Sequence, residues 1–172
     1  MRLLHKNQKG FTLIELLITV MIVAGIAVVT NAAIVQLVQS NRTSNHMVAV
    51  RQVQQAGHRV SQDCIQAQDI TNSTEDGGFP LTLSWTAWES GELHEVVYNL
   101  TPPSGGVCEL KREETVGTNP PTTAVVAQYI EPPDSTNCSW NATERVLTLN
   151  VTAKVGLQTE SRTYEIKPRP SV

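Results

Sequence analysis

A single acidic residue, Glu15, interrupts an otherwise uncharged and mostly apolar stretch at residues 11–38. A carboxylate inside a lipid bilayer costs roughly 2.5–3.5 kcal/mol on insertion scales, so it needs a partner and a purpose. Three basic residues, Arg2, Lys6 and Lys9, precede the stretch, and no acidic residue lies among them. The pattern therefore predicts a membrane-inserted segment in which one carboxylate has a specific role.

No other group of residues has the spacing of a catalytic or metal site. The four histidines lack metal-ligand spacing, and neighbouring acids such as Glu113 and Glu114 point to opposite faces of a strand. The oxygen-rich residues 72–78 lack the full spacing of a calcium loop. Nucleophile-elbow, zinc-protease and phosphate-loop motifs do not occur in the sequence. We predict a protein that is not an enzyme and has no catalytic residue, metal or cofactor.

The apolar stretch is long enough to cross a membrane. A helix over residues 11–38 would be about 42 Å long at ~1.5 Å per residue, which exceeds the ~30 Å hydrocarbon core. The preceding basic residues keep the amino end in the cytoplasm, so the carboxyl-terminal part lies outside. An ordinary secretory signal peptide and a plain signal anchor share this pattern, but neither gains anything from Glu15.

The residues around Glu15 resemble a known processing motif. The sequence KGFTLIELL at residues 9–17 is similar to the prepilin cleavage and methylation motif of bacterial type IV pilins and type II secretion pseudopilins. The resemblance implies that a prepilin peptidase cuts between Gly10 and Phe11 and methylates the new amino terminus at Phe11. It also implies that Glu15 directs filament assembly by neutralising the Phe11 amine of a neighbouring subunit. An unpaired charge of either sign is costly in low dielectric, so such a pair would specify register.

Beyond residue 38, apolar residues return at helical spacing, which predicts one continuous helix from about Thr12 to about Asp69. Its second half would place an apolar stripe on a globular domain. Gly57 lies in this stripe, although glycine in a helix costs ~1 kcal/mol relative to alanine. A close approach of the sheet at Gly57 would explain it. The stripe consists of Val50, Val53, Gly57, Val60, Cys64 and Ala67.

After residue 78 the apolar period changes to two, which is typical of strands. The predicted fold class is α+β and pilin-like, with a long amino-terminal helix packed on an antiparallel sheet of five or six strands. We predict strands at 81–85, 93–100, 107–113, 145–155 and 158–166, a short strand or helical turn at 124–130, and loops at 72–78, 102–106, 117–121 and 132–137. The predicted divisions are a leader at 1–10, a transmembrane or filament-core half of the helix at 11–38, an amphipathic half at 39–69 and a β-domain at 70–172.

Three cysteines in an exported protein suggest one disulfide and one free thiol. Cys108 and Cys138 both flank loops of the predicted β-domain, and a bridge between them would stabilise the fold by ~3–4 kcal/mol. Cys64 lies on the apolar stripe, where a small buried thiol is expected. Cys108 with Cys138 is the disulfide candidate, and pairings through Cys64 are the alternative.

Two carboxyl-terminal segments resemble those of the minor pseudopilin J and the W-type minor pilins. They are Leu110-Lys111-Arg112 at a strand and Lys167-Pro168-Arg169-Pro170 near the end of the chain. This second resemblance implies a minor subunit at or near the filament tip, where it helps to begin assembly.

The predicted function is a structural subunit, minor in the sense of that resemblance, of a type IV pilus or a type II secretion pseudopilus. The resemblance implies a single span in the cytoplasmic membrane, followed by assembly into an extracellular or periplasmic filament. The implied partners are a prepilin peptidase, other pilin or pseudopilin subunits and an inner-membrane assembly platform. Without residues 1–10, ten Lys and Arg face sixteen Asp and Glu, a net charge of −6, so no nucleic-acid partner is expected. The alternative is a tip-displayed adhesin or DNA-uptake subunit on the same anchor.

Overall fold

A computed structural model describes residues 12–169 of the chain. This part contains one long helix, a short 3-10 turn at Asp76–Gly78 and eight strands, which is the predicted α+β architecture. The helix, α1, spans Leu13–Gln66. The strands are β1 Asp69–Asn72, β2 Leu81–Thr86, β3 Leu93–Leu100, β4 Cys108–Val116, β5 Thr122–Ile130, β6 Asn137–Asn141, β7 Val146–Val155 and β8 Gln158–Ile166.

The chain forms two compact units, one up to Asn41 and one from Arg42 onward. In the first unit, every described side chain of α1 is exposed. Among the described residues, α1 is the one helix long and apolar enough to cross a membrane. Its polar groups bond within the helix: the hydroxyls of Thr19 and Thr30 and the amide of Asn31 donate to carbonyls of the preceding turn at 2.8, 2.8 and 3.0 Å. These side chains therefore need no outside partner in a bilayer.

The second unit is built on an antiparallel sheet in the order β1-β2-β3-β4-β5-β7-β6. β8 pairs with the edge of β7 that β5 and β6 leave open. The sheet curls until its two ends meet, because β1 and the 3-10 turn both contact β6. The amide of Asn72 donates to the Cys138 carbonyl at 3.5 Å. Gly78, at φ +89°, lies so close to that carbonyl that a larger residue would overlap it.

The core lies between the sheet and the second half of α1, and the predicted apolar stripe is confirmed. Val53, Val60 and Cys64 are fully buried, as are Ala49 and Ala56 beside them. The sheet meets this stripe with alternate residues of several strands, since every second side chain of a strand faces the same way. The largest of these are Leu81, Leu83, Val96, Tyr98, Leu110, Leu147, Leu149 and Val151.

β8 approaches α1 closely at Gly57. A methyl group at Gly57 would overlap the ring of Tyr164, which lies across the helix backbone there. The Tyr164 hydroxyl donates to the carbonyl of Val53 at 3.2 Å, so the ring is fixed at both ends. The close approach predicted for this glycine is confirmed, and it explains why a poor helix former stands inside the helix.

The structure corrects the prediction of five or six strands, because the described residues contain eight. β1 and β6 were predicted as loop or left unassigned, since both are short and rich in Asn, Ser and Thr. β5 is a nine-residue strand, so the strand alternative predicted at 124–130 is correct, although the strand is longer than expected. α1 ends at Gln66, three residues early, because the Ala67 amide donates to two carbonyls of the last turn and Gln68 then pairs with Ser84.

The disulfide expected between Cys108 and Cys138 is not formed, because the structure has all three cysteines as buried free thiols. Cys138 pairs with Leu149 of β7, and Cys108 pairs with Ile130, which in turn pairs with Ala153 of β7, so the two cysteines are offset by four residues, or roughly 13 Å, along β7. Bridged cysteines have Cα atoms within about 7 Å of each other. The alternative through Cys64 is not formed either.

Candidate functional site

The first turn of α1 carries the acidic residue that the sequence singles out. Thr12 precedes the helix, and its carbonyl accepts hydrogen bonds from the amides of Glu15 and Leu16 at 3.1 and 3.2 Å. Its hydroxyl lies 3.4 Å from the Glu15 amide. A Thr followed three residues later by Glu is a capping-box pattern, which satisfies free amides at a helix start. The carboxylate of Glu15 also lies at the positive end of the helix dipole, which favours a negative charge.

Glu15 is exposed in this turn, and no cationic side chain of residues 12–169 pairs with it. The neighbouring side chains are large and apolar, with Ile14 68% and Leu16 62% exposed. Thus the only charge on this apolar surface is open to a partner from outside the described residues. The other two predicted site residues, Gly10 and Phe11, lie outside the residues that the structure describes.

A second polar group, missed from the sequence, lies between α1 and the sheet. Asp63 is 4% exposed and faces Tyr98 and Arg112, which are paired across β3 and β4. The Tyr98 hydroxyl donates to Asp63 Oδ2 at 2.5 Å, and Arg112 Nε donates to the same oxygen at 2.6 Å. Two donors therefore compensate one buried carboxylate, as a charge in a core requires.

The group extends from Arg112 towards the edge of the core. Arg112 Nη1 donates to Glu114 Oε2 at 2.7 Å, and Glu114 Oε1 lies 3.6 Å from His94 Nδ1. The His94 ring stacks on Trp85 with 5.2 Å between centroids and 9° between planes. His94 is therefore half-buried against an indole.

Burial and pairing shift the pKa of several of these groups. Burial, and then the hydrogen bond to Asp63, raise the pKa of Tyr98 far above its usual range. The hydrogen bond from Arg112 lowers the pKa of Glu114, although partial burial opposes it. Burial alone raises the pKa of the Cys64 and Cys138 thiols to about 12. At neutral pH the group thus holds an ionised Glu114, a cationic Arg112 and a neutral Tyr98.

A groove of about 930 Å³ opens beside this group at the carboxyl-terminal end of α1. Arg112, Glu114 and His94 line one side, and Arg59 and Gln66 of the helix line another. The β2–β3 turn forms the rim. Among residues 12–169, no three His, Cys, Asp or Glu residues are grouped in a way that would hold a metal ion.

The sequence contained a signal for the Asp63–Arg112 pair. Asp63 falls on the apolar stripe, three residues after Val60, and Arg112 alternates with Cys108 and Leu110 on the inward face of β4. A charged residue on each of two apolar faces indicates that the two charges meet. The two residues are 49 positions apart in the sequence, so no local pattern links them.

The comparisons with known proteins concern the amino-terminal segment. A family profile described as the prokaryotic N-terminal methylation motif matches residues 5–29, which include Glu15 and the first part of α1. No curated protein and no solved structure matches the chain. The motif implies processing by a prepilin peptidase and assembly as a pilin, and the long apolar helix fits membrane anchoring. This motif at the start of a long apolar helix, with an antiparallel sheet after it, supports a type IV pilin-like or pseudopilin-like subunit.

Proposed function

We propose that this chain assembles into a filament through the first turn of α1. Prepilin peptidase cuts between Gly10 and Phe11 and methylates Phe11, and Glu15 becomes the fifth residue of the mature chain. The Glu15 carboxylate then pairs with the Phe11 amine of a neighbouring subunit. The observation that carries the proposal is the exposed Glu15, which has no cationic partner among the described residues and is surrounded by apolar side chains.

The energetic argument rests on what an unpaired charge costs. The carboxylate and the new α-amino group are each unfavourable in a membrane, where their hydration is lost. Pairing them between subunits removes both costs at one relative position of the two helices. A displaced neighbour would leave both charges unpaired, so the pair would select a single docking position.

The same proposal assigns roles to the segments of the chain. Residues 1–10 are the leader, residues 11–38 lie in the membrane and later in the filament core, residues 39–69 pack on the sheet, and 70–172 form the exposed β-domain. The boundary between the two compact units, at Asn41 and Arg42, supports the division inside the helix. The subunit waits in the cytoplasmic membrane with its β-domain outside, and an inner-membrane platform moves it into the filament with other subunits.

A minor role follows from the second resemblance, to the minor pseudopilin J and the W-type minor pilins. It rests on Leu110-Lys111-Arg112 and on Lys167-Pro168-Arg169-Pro170. Arg112 is the buried partner of Asp63, so one of these residues has a clear structural role. Such a subunit would serve a type IV pilus or a type II secretion pseudopilus.

The test replaces Glu15 by Gln and by Ala in the full precursor, expressed with its own peptidase and assembly platform. We expect both variants to be cut after Gly10, to stay in the membrane fraction and to be missing from sheared filaments. The mass of the mature chain reports cleavage and methylation at Phe11. Immunoblots of the two fractions report incorporation.

Asn31→Ala is the matched control, since it removes a polar side chain from the same apolar half of α1 whose amide bonds only to its own helix. We expect this variant to enter filaments normally. Normal incorporation of Glu15→Ala would refute the pairing. A mature chain that begins at a residue other than Phe11 would refute the processing step.

A further inference from the structure

We propose that the groove at the end of α1 binds a neutral oligosaccharide, with the indole of Trp88 as its stacking surface. The inference goes beyond the filament role and does not depend on it. The groove lies wholly within the second compact unit, and its volume of about 930 Å³ falls in the range of small-ligand sites.

Trp88 is the most exposed large apolar residue of residues 12–169. It is 98% exposed in the turn between β2 and β3, at the rim of the groove. Nothing in the described fold uses its indole. A Trp side chain presents a large flat surface and has only two rotatable bonds, so it gains contact area on binding at a small cost in entropy. The apolar CH face of a sugar ring fits such a surface.

The charges of the groove favour a neutral ligand. Three arginines, Arg59, Arg112 and Arg169, and three acids, Asp63, Glu89 and Glu114, line it. An anionic ligand would meet the carboxylates, and a cationic ligand would meet the guanidinium groups. The acids also disfavour a nucleic acid, which binds through its phosphates to basic surfaces.

The polar groups of the groove supply both donors and acceptors. The amides of Gln62 and Gln66 and the hydroxyl of Ser90 join the charged side chains in its lining. Sugar hydroxyls donate and accept hydrogen bonds, so they can use both kinds of group. A ligand with only donors or only acceptors would leave half of them unpaired, which is unfavourable once water is excluded.

The floor of the groove is fixed before any ligand arrives. Arg112 is bound to Asp63 and Glu114 by bonds of 2.6 and 2.7 Å, and His94 is stacked on Trp85. Side chains that are already ordered lose little conformational freedom on binding, which increases affinity.

The experiment measures Trp fluorescence and calorimetric binding of the full mature chain in a detergent without a sugar headgroup. The probes are neutral oligosaccharides of glucose, galactose and N-acetylglucosamine, with a sialylated and a glucosamine oligomer as charged comparisons. We expect at least one neutral probe to bind, and Trp88→Ala to weaken that binding about tenfold or more. Trp88→Tyr should restore much of the affinity because it keeps an aromatic face.

Leu157→Ala is the matched control, since Leu157 is 87% exposed in the turn between β7 and β8 and does not line the groove. It should bind the neutral probe as the wild type does. The proposal is overturned if no neutral probe binds, if Trp88→Ala binds as well as the wild type, or if a charged probe binds more tightly. Crosslinking of position 88 to another subunit, without sugar binding, would assign the groove to a protein partner instead.

Discussion

Arg112 Nε lies 2.6 Å from Asp63 Oδ2, and this contact joins the amphipathic half of α1 to the centre of the sheet. Both side chains are almost fully buried, and the Tyr98 hydroxyl completes the shell of the carboxylate. Apolar contacts along the stripe tolerate small shifts of a helix, whereas a buried ion pair tolerates few. The pair therefore fixes how far along the sheet the helix lies.

Removal of one member of the Asp63–Arg112 pair should lower the free energy of unfolding more than replacement of both members. We expect Asp63→Ala to lower the free energy of unfolding of the second unit by about 3–5 kcal/mol, because Arg112 and Tyr98 then lose a buried partner. The double change Asp63→Leu with Arg112→Met should be less destabilising than Asp63→Ala. Thermal and urea unfolding in detergent measure both.

The control for Asp63 is Arg59→Ala, because Arg59 lies 3.9 Å from the same carboxylate but its side chain is 44% exposed. Because the Arg59 side chain reaches solvent and lies near the ~4 Å limit of an ion pair, we expect its contribution to be at most ~1 kcal/mol. Equal losses for Arg59→Ala and Asp63→Ala would contradict the role assigned to the buried pair.

Gly57→Ala should destabilise the protein, although alanine is the better helix former by ~1 kcal/mol. The new methyl group overlaps the Tyr164 ring, and such overpacking costs about 1–3 kcal/mol. Thermal unfolding of the full chain measures the change. In a Tyr164→Ala background the ring is gone, so the same substitution should become neutral or stabilising. An equal loss in both backgrounds would show that Tyr164 is not the cause.

The lowered pKa of Glu114 gives the protein an acid-sensitive contribution to stability. A carboxyl group whose pKa falls on folding stabilises above its unfolded value, here about 4.5, and this contribution disappears as pH falls through the lower folded value. We expect Glu114→Gln to be less stable than the wild type at pH 7 and to approach it below pH 4.5. Unfolding temperatures across this range check the prediction.

Glu113→Gln provides the matched control, since Glu113 is the exposed neighbour on the opposite face of β4. Its difference from the wild type should stay small at every pH. A Glu114→Gln curve parallel to the wild type, with a constant gap, would show that ionisation of Glu114 does not contribute.

The three cysteines should be titratable as free thiols only after unfolding. Burial raises the pKa of Cys64 and Cys138 to about 12, so at pH 8 only about one in ten thousand is thiolate. We expect little reaction with a thiol reagent in the native state and three thiols per chain in denaturant. Reducing agent should leave the unfolding temperature unchanged. One thiol per chain in denaturant would show that a disulfide forms in the cell.

Most elements of the fold were predictable because burial imposes a period on the sequence. The stripe through Val53 and Val60 and the alternation in β3 and β8 follow directly from one buried face, and the ends of β3 and β8 were predicted to the residue. β1 and β6 were not predictable, since their short polar sequences are held by pairing to neighbours and by the closing of the curled sheet. Tertiary contacts outweighed local preference there.

The two polar sites, Glu15 and the Asp63–Arg112 pair, also differ in how far the sequence alone could predict them. Glu15 was evident because it contrasts with its immediate neighbours, and such a contrast is local. Asp63 and Arg112 each lie on an otherwise apolar face, but they are far apart along the chain, and only the folded sheet brings them together. The groove with Trp88 is lined by four separate segments of the chain, so no local spacing in the sequence predicts it.

The inward-turned hydroxyls of Thr19 and Thr30 have a consequence for how this protein changes surroundings. A helix whose hydroxyl groups already bond to its own carbonyls presents the same apolar surface to lipid chains and to neighbouring helices. Transfer of the helix from lipid to contact with other helices would break none of these hydrogen bonds, and the hydroxyl groups would need no new acceptor. If the helix moves from the membrane into a filament as proposed, the transfer is close to neutral along most of its length, and Glu15 near its amino end would select the final position.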